Sequence, residues 1–315
     1  MKNVIKNLIV NEEFFKTHSA VPFTLNKKTS FSKEEIYSWN TVESFFPKEM
    51  DTKESRLKYF MNNIKQAGLD DLAMPDQPKD ESLIEDCHEI TLEEFLNYYK
   101  EERAKKENTI WNTKKNYTAI FMTKETNDQL KRQVGRSVSL VYPAADCAIV
   151  RYYDKKNNVI GLTHSDGWFT GENIVGKMTK YMNNHFYSNL EDIEVYVGAF
   201  AHSDWIYNGI PTFIGQKLDD GTIKYRGEWE KYIERLDQNK IKINYGDLLY
   251  NQIIKSGISK DNIYFSEDNT LFEKDYYSHS RSINSKEKEG RNLFGISFDV
   301  ENILNNKEKN GTILK

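Results

Sequence analysis

From Tyr117 onward, short runs of β-branched and aromatic residues alternate with stretches of helical periodicity, and this alternation narrows the accessible folds more than any other feature. Residues 117–123 and 137–142 read as strands. So do 148–153 and 159–163, and the connector between them, Asp154-Lys-Lys-Asn-Asn158, has the composition of a hairpin turn. The spacing predicts a helix over 171–186, with Ile174, Val175, Met178, Tyr181 and Met182 on one face. Residues 193–200 are apolar and β-branched, as a strand covered on both faces requires. A second helix is expected over 246–256, with Leu248, Leu249, Ile253 and Ile254 inward and Gly257 as its stop. Strands follow at 263–265 and 293–300. Hairpins and helices are interleaved, so the expectation is an α+β fold: mixed β-sheets with helices packed around them.

The first third is more polar. Ser32-Lys-Glu-Glu35 and Thr91-Leu-Glu-Glu94 both have capping-box spacing, and after the second Leu92, Phe95, Leu96 and Tyr99 share a helical face. Residues 1–110 are therefore expected to form a mainly helical part packed on a main domain over 111–302, with a polar tail at 303–315.

A formal net charge of -4 with 29% charged residues gives no field that selects nucleic acid or an anionic membrane as partner. Cys87 and Cys147 cannot build a disulfide framework and suit a reducing compartment. No stretch of about 18 apolar residues occurs, so a cytoplasmic protein without a membrane span is expected. The glycine-loop signatures of common nucleotide sites are absent.

Chemistry concentrates around Asp146-Cys147 and His164. Cys147 precedes one predicted strand, and His164 ends the strand that returns from the hairpin. The topology brings both to one sheet edge. A cysteine and a histidine there can form a nucleophile–base pair, with Asp146 or Asp166 orienting the imidazole, or supply metal ligands. Alone, each also reads as an ordinary packing residue. The turn Ser165-Asp-Gly-Trp-Phe-Thr-Gly171 opens the following helix and offers N–H groups to an anion.

Ala145-Asp-Cys147, His164, Gly167-Trp168 and Asn173-Ile174-Val175 resemble, in order, the A-D-C, H-A-G-W-R-G and N-I segments of one family. It is the purine nucleoside phosphorylase family long labelled laccase-domain or polyphenol oxidase proteins. Val195-Tyr-Val-Gly-Ala199 with Tyr207, Gly246-Asp-Leu-Leu249 with Gln252 and Gly257, and Tyr276-Tyr-Ser-His-Ser-Arg281 with Gly290-Arg291 extend the likeness. The resemblance implies the laccase-domain architecture, which the bacterial toxins of the cytotoxic necrotizing factor type resemble. It also implies phosphorolysis of purine nucleosides, with adenosine deamination as a related activity, in a cleft that often holds one zinc ion. Carried over, it makes Cys147, His164 and Asp146 catalytic. Trp168, Tyr207, His279, Arg281 and Arg291 become contacts for nucleoside and phosphate. Cys147, His164 and His88 become zinc ligands. Copper is not expected, because no clustered His-x-His segments occur.

This chain departs from the pattern in places. Lys79 stands where the family's Q-x-H segment places a histidine, Phe169 replaces an arginine after Trp168, and Ser280 replaces the first of two arginines. Three readings follow: a divergent nucleoside phosphorylase or deaminase, a metal-free Cys–His hydrolase or deamidase, and a non-catalytic descendant that binds a ligand.

Overall fold

The computed structural model describes residues 4–5, 20–25, 69–75, 85–102, 110–112, 117–285, 287 and 291–298. Its centre is a seven-stranded mixed sheet. In spatial order the strands are Val4–Ile5, Ile263–Ser266, Ile193–Val197, Ala148–Asp154, Val159–Ser165, Tyr117–Thr123 and Glu85–Glu89. A five-stranded mixed sheet faces it, ordered Val21–Leu25, Asn292–Ser297, Val138–Ala144, Asp71–Met74 and Ile110–Asn112.

All seven residues of Ala148–Asp154 and of Val159–Ser165 are buried, because both faces of these strands are covered. Alternation sorts their side chains. Ala148, Val150 and Tyr152 join a core with Val175, Met178, Met182, Leu248, Leu249 and Ile253 from the helices Ile174–His185 and Tyr245–Lys255. Ile149, Tyr153, Ile160 and Leu162 join a second core with Leu140, Tyr142, Phe294 and Ile296 of the facing sheet. The result is three layers: helices, the seven-stranded sheet and the five-stranded sheet. The hairpin between the two central strands is closed by Asp154, whose carboxylate accepts from the Lys156 and Asn157 N–H groups at 2.9 Å each, with Asn158 left-handed at φ 52.

The helix expected over 171–186 is divided. Asn173 is left-handed at φ 56, so a short helix, Gly167–Gly171, ends before Ile174–His185 begins. The helix Tyr245–Lys255 matches its prediction, with Gly257 at φ 97 beyond its end. The capping box at Thr91 is formed in both directions: the Glu94 N–H donates to Thr91 Oγ1 at 3.3 Å, and the Thr91 N–H to Glu94 Oε2 at 3.0 Å. It opens the helix Leu92–Glu102, whose Phe95 enters the core between the sheets. The capping box at Ser32 lies outside the described residues.

The described part of 1–110 holds the helix Leu92–Glu102 and the strands Val4–Ile5, Val21–Leu25, Asp71–Met74 and Glu85–Glu89, which complete both sheets. Three of these strands stand at sheet edges, where one side of the ladder needs no partner. An edge accepts Pro22 and the polar run Glu-Asp-Cys-His-Glu, which carry no strand signal. No helix among the described residues is long and apolar enough to cross a membrane.

Candidate active site

The hairpin sets the site. Ala148 pairs with Ser165 and Ile149 with His164 in an antiparallel ladder. Cys147 directly precedes Ala148 of the last registered pair, Ala148 with Ser165, and His164 directly precedes Ser165, so both residues stand at the open end of the ladder. Both residues look into the space between the two sheets. Cys147, a free thiol, packs against the inter-sheet core, and His164 stacks on Tyr142 of the facing strand at 4.6 Å between centroids.

Burial governs both groups. His164 is 6% exposed, and loss of hydration, helped by the charge of Arg291, pushes its imidazole down to about 3. Burial, then the carboxylates of Asp166 and Asp146, push the Cys147 thiol well up, with Arg291 acting against them. At neutral pH the resting pair is thus thiol and neutral imidazole. Arg291 acts on both members, and it is fixed by the next residue. Asn292 is fully buried, accepting from the Tyr277 N–H at 3.0 Å and donating to the carbonyls of Ala144 and Tyr277 at 3.2 and 3.0 Å.

The low imidazole has a consequence for stability. Between about pH 6.5 and about pH 3 the unfolded chain binds a proton at residue 164 that the folded protein refuses. Stability from this group is complete above about pH 6.5 and is lost as pH falls, by about 2 kcal/mol at pH 5. Urea unfolding of His164→Phe is expected to show a correspondingly flatter dependence between pH 7 and pH 5. Equal dependence in both proteins contradicts the neutral, buried histidine.

Several other expected site residues are placed in different tasks. Asp146 is 4% exposed; its oxygens accept from Thr270 Oγ1 at 2.8 Å and from the Ser280 N–H at 2.7 Å. It anchors the loop that precedes the helix His279–Asn284 rather than standing ready for catalysis. Arg281 spends all five donors inside that loop. It grips Glu287 at 2.8 and 3.1 Å and the carbonyls of Thr270, Glu273 and Tyr276 at 2.7, 2.8 and 2.5 Å, so it builds the loop rather than reading a phosphate. Ser280, in place of the family arginine, accepts from Trp205 Nε1 at 3.0 Å. His279 is exposed at the start of this helix.

Trp168 packs on the helix-side core with the Arg226 guanidinium over its ring, 2.8 Å from the centroid, and the structure does not bring it to His164. Tyr207 is half-buried beside Trp205 and Phe213, and the sulfur of Cys147 and the carboxylate of Asp146 both act on its hydroxyl, after burial, to raise it. The turn after His164 is no open anion cradle: Asp166 caps it, accepting from the Phe169 N–H at 2.8 Å. Sequence reasoning overlooked Thr270, Asn292 and Tyr245. The first two are buried polar residues whose partners are distant in the chain. Tyr245 stands directly before the noted Gly246-Asp-Leu-Leu249 segment.

The model of the multi-copper polyphenol oxidoreductase laccase family matches residues 104–299. The chain belongs to this family. No curated protein sequence matches it. Among solved structures, the hypothetical protein YfiH of Bacillus licheniformis is similar over 91% of this chain and 94% of its own, at 14% identity and a TM-score of 0.58. YlmD from Geobacillus stearothermophilus is similar over 89% and 92%, at 15% identity and 0.59. A Neisseria meningitidis protein is similar over 89% and 94%, at 13% identity and 0.55. At these identities the likeness establishes the laccase-family α+β fold.

The zinc ion that the laccase-family resemblance implies does not fit the described donors. Cys147 and His164 offer two ligands. His88 bonds Glu94 at 3.0 Å and stacks on Tyr117 at 4.3 Å, level with Ile120 and, through it, with Leu162. It lies two strands from His164, about 10 Å across the sheet, whereas zinc holds its ligands within about 2.3 Å. Among the described residues no group of three His, Cys, Asp or Glu side chains is placed to hold a metal. Lys79 lies outside the described residues.

Proposed function

We propose that the protein is a divergent purine nucleoside phosphorylase of the laccase family, with adenosine deamination as a related activity, working at the Cys147–His164 pocket. The observation that carries this reading is the neutral state of the pair beside a cation. A half-buried thiol with a raised titration and a buried neutral imidazole make a poor nucleophile–base couple, which disfavours a hydrolase that attacks through sulfur. They suit a reaction in which the attacking group is bound from solution. In phosphorolysis a phosphate oxygen forms the new bond to the sugar C1′ carbon, and the bond from C1′ to the base nitrogen breaks. The electron pair leaves with the base, which takes up a proton.

Arg291 supplies charge-assisted hydrogen bonds for the phosphate. Neutral His164 carries one ring N–H and one acceptor nitrogen, so it can hand a proton towards the departing base and take one back. Tyr207 offers a ring face and a hydroxyl to the purine. His279, exposed at the start of the helix His279–Asn284, is a further candidate contact for the nucleoside.

Incubation with inosine and phosphate should yield hypoxanthine and ribose 1-phosphate, and adenosine should yield adenine or inosine, resolved by chromatography. A folded protein giving neither free base nor deaminated product overturns the reading. Rapid alkylation of Cys147 at neutral pH, slowed in His164→Ala, would instead speak for a thiolate hydrolase.

A further inference from the structure

We infer that Tyr245 is the positioning residue of the Cys147–His164 pair, its hydroxyl setting the separation of the two strand ends that carry them. This rests on the reading of that pair as the reacting centre. Tyr245 is fully buried. Its hydroxyl donates to the carbonyl of Ser165, the residue after His164, and accepts from the N–H of Ala148, the residue after Cys147, at 3.3 Å. Thr170 Oγ1 approaches the same oxygen at 3.2 Å. The hydroxyl thus gives its proton to one strand end and accepts from the other. Ala148 and Ser165 form the last registered pair of the central hairpin. Beyond them the chains part into Cys147 and Asp166, and the Tyr245 hydroxyl stands at the fork.

The helix behind it is built to hold that hydroxyl in place. The ring is wedged against Phe200 at 5.1 Å and Trp229 at 5.7 Å. Gln252, further along the helix, donates to the Thr170 carbonyl at 2.7 Å and ties the same turn. The Gly246 N–H donates to the His202 carbonyl at 2.7 Å, and a Cβ at 246 would lie 2.9 Å from His202 Cβ. Only glycine lets the helix start this close to the loop, which places Tyr245 under the fork.

Tyr245→Phe keeps the ring and removes the hydroxyl. Alkylation by iodoacetamide across pH reads the result, with Cys87 on the distant edge strand as internal reference. Once the strand ends can part, more water reaches the half-buried thiol. Its alkylation midpoint should fall, and its rate at pH 8 should rise about five-fold while Cys87 is unchanged. In the nucleoside assay kcat should fall about ten-fold with KM within about two-fold. Should Tyr245→Phe not fold, Gly246→Ala, which displaces the helix start, should give the same shift. An unchanged Cys147 profile overturns the inference, and so does an equal acceleration at Cys87, which would report general loosening. If the wild-type protein releases no base, the functional reading fails, and the alkylation profile still decides the positioning.

Discussion

Replacing Asp146 with Asn is expected to lower stability by about 3 kcal/mol. The carboxylate is buried, and each oxygen accepts a hydrogen bond from a group far along the chain, the Thr270 hydroxyl and the Ser280 N–H. Its own carbonyl receives the Ala201 N–H at 2.9 Å. Asn has one acceptor oxygen where Asp has two. Turned with its oxygen to the Ser280 N–H, the amide sets its NH₂ against the Thr270 hydroxyl, which can accept but then loses the acceptor for its own buried proton. Through Thr270, the loss reaches the network that Arg281 builds with Glu287 and three carbonyls. Urea unfolding at pH 7 measures the change. A loss below about 1 kcal/mol would mean that the carboxylate does not hold the loop.

Removing the protonated Cys147 thiol, an S–H donor beside His164, with Cys147→Ala is expected to lower kcat/KM for nucleoside phosphorolysis about 1000-fold, an effect of about 4 kcal/mol on the transition state. Stability should change far less than in Asp146→Asn, because the thiol is half-buried at the edge of the inter-sheet core. His164→Ala should cost activity to a similar degree. The contrast between neighbouring residues 146 and 147 is diagnostic. The aspartate variant loses the fold first, and the cysteine variant loses chemistry with the fold intact. Comparing initial rates with unfolding midpoints for the two proteins separates these roles, and full activity in Cys147→Ala would remove the thiol from the reaction.

The central hairpin was legible because its strands are rich in apolar, β-branched and aromatic residues, Arg151 apart, on both sides of a turn built from Asp154, Asn157 and Asn158. The same hairpin made it readable that Cys147 and His164 stand at one end of the sheet, since a two-strand return fixes register from the turn outward. The helix Lys124–Val134 was not foreseen. Its inner face holds one buried apolar residue, Leu130, beside Asn127, whose carbonyl oxygen accepts from the Val138 N–H at 3.0 Å. Its packing is partly polar and leaves no apolar period.

The hydrogen-bond partners of Asp146 and Arg281 were not legible for a related reason. A charged residue inside a recognisable motif reads as chemistry, yet each spends its hydrogen bonds on loop groups, many of them backbone, whose positions a one-dimensional pattern does not disclose. The same holds for Tyr245, whose partners Ala148, Ser165 and Thr170 come close to it only in the folded chain.

The most direct test is a double-mutant cycle on kcat/KM for nucleoside turnover, with Cys147→Ala, His164→Ala and both together. Groups that serve one transition state in one pocket are strongly non-additive, so the double variant should be scarcely slower than either single variant. Additive losses, or no loss at either position in folded proteins, would contradict a shared thiol–imidazole centre.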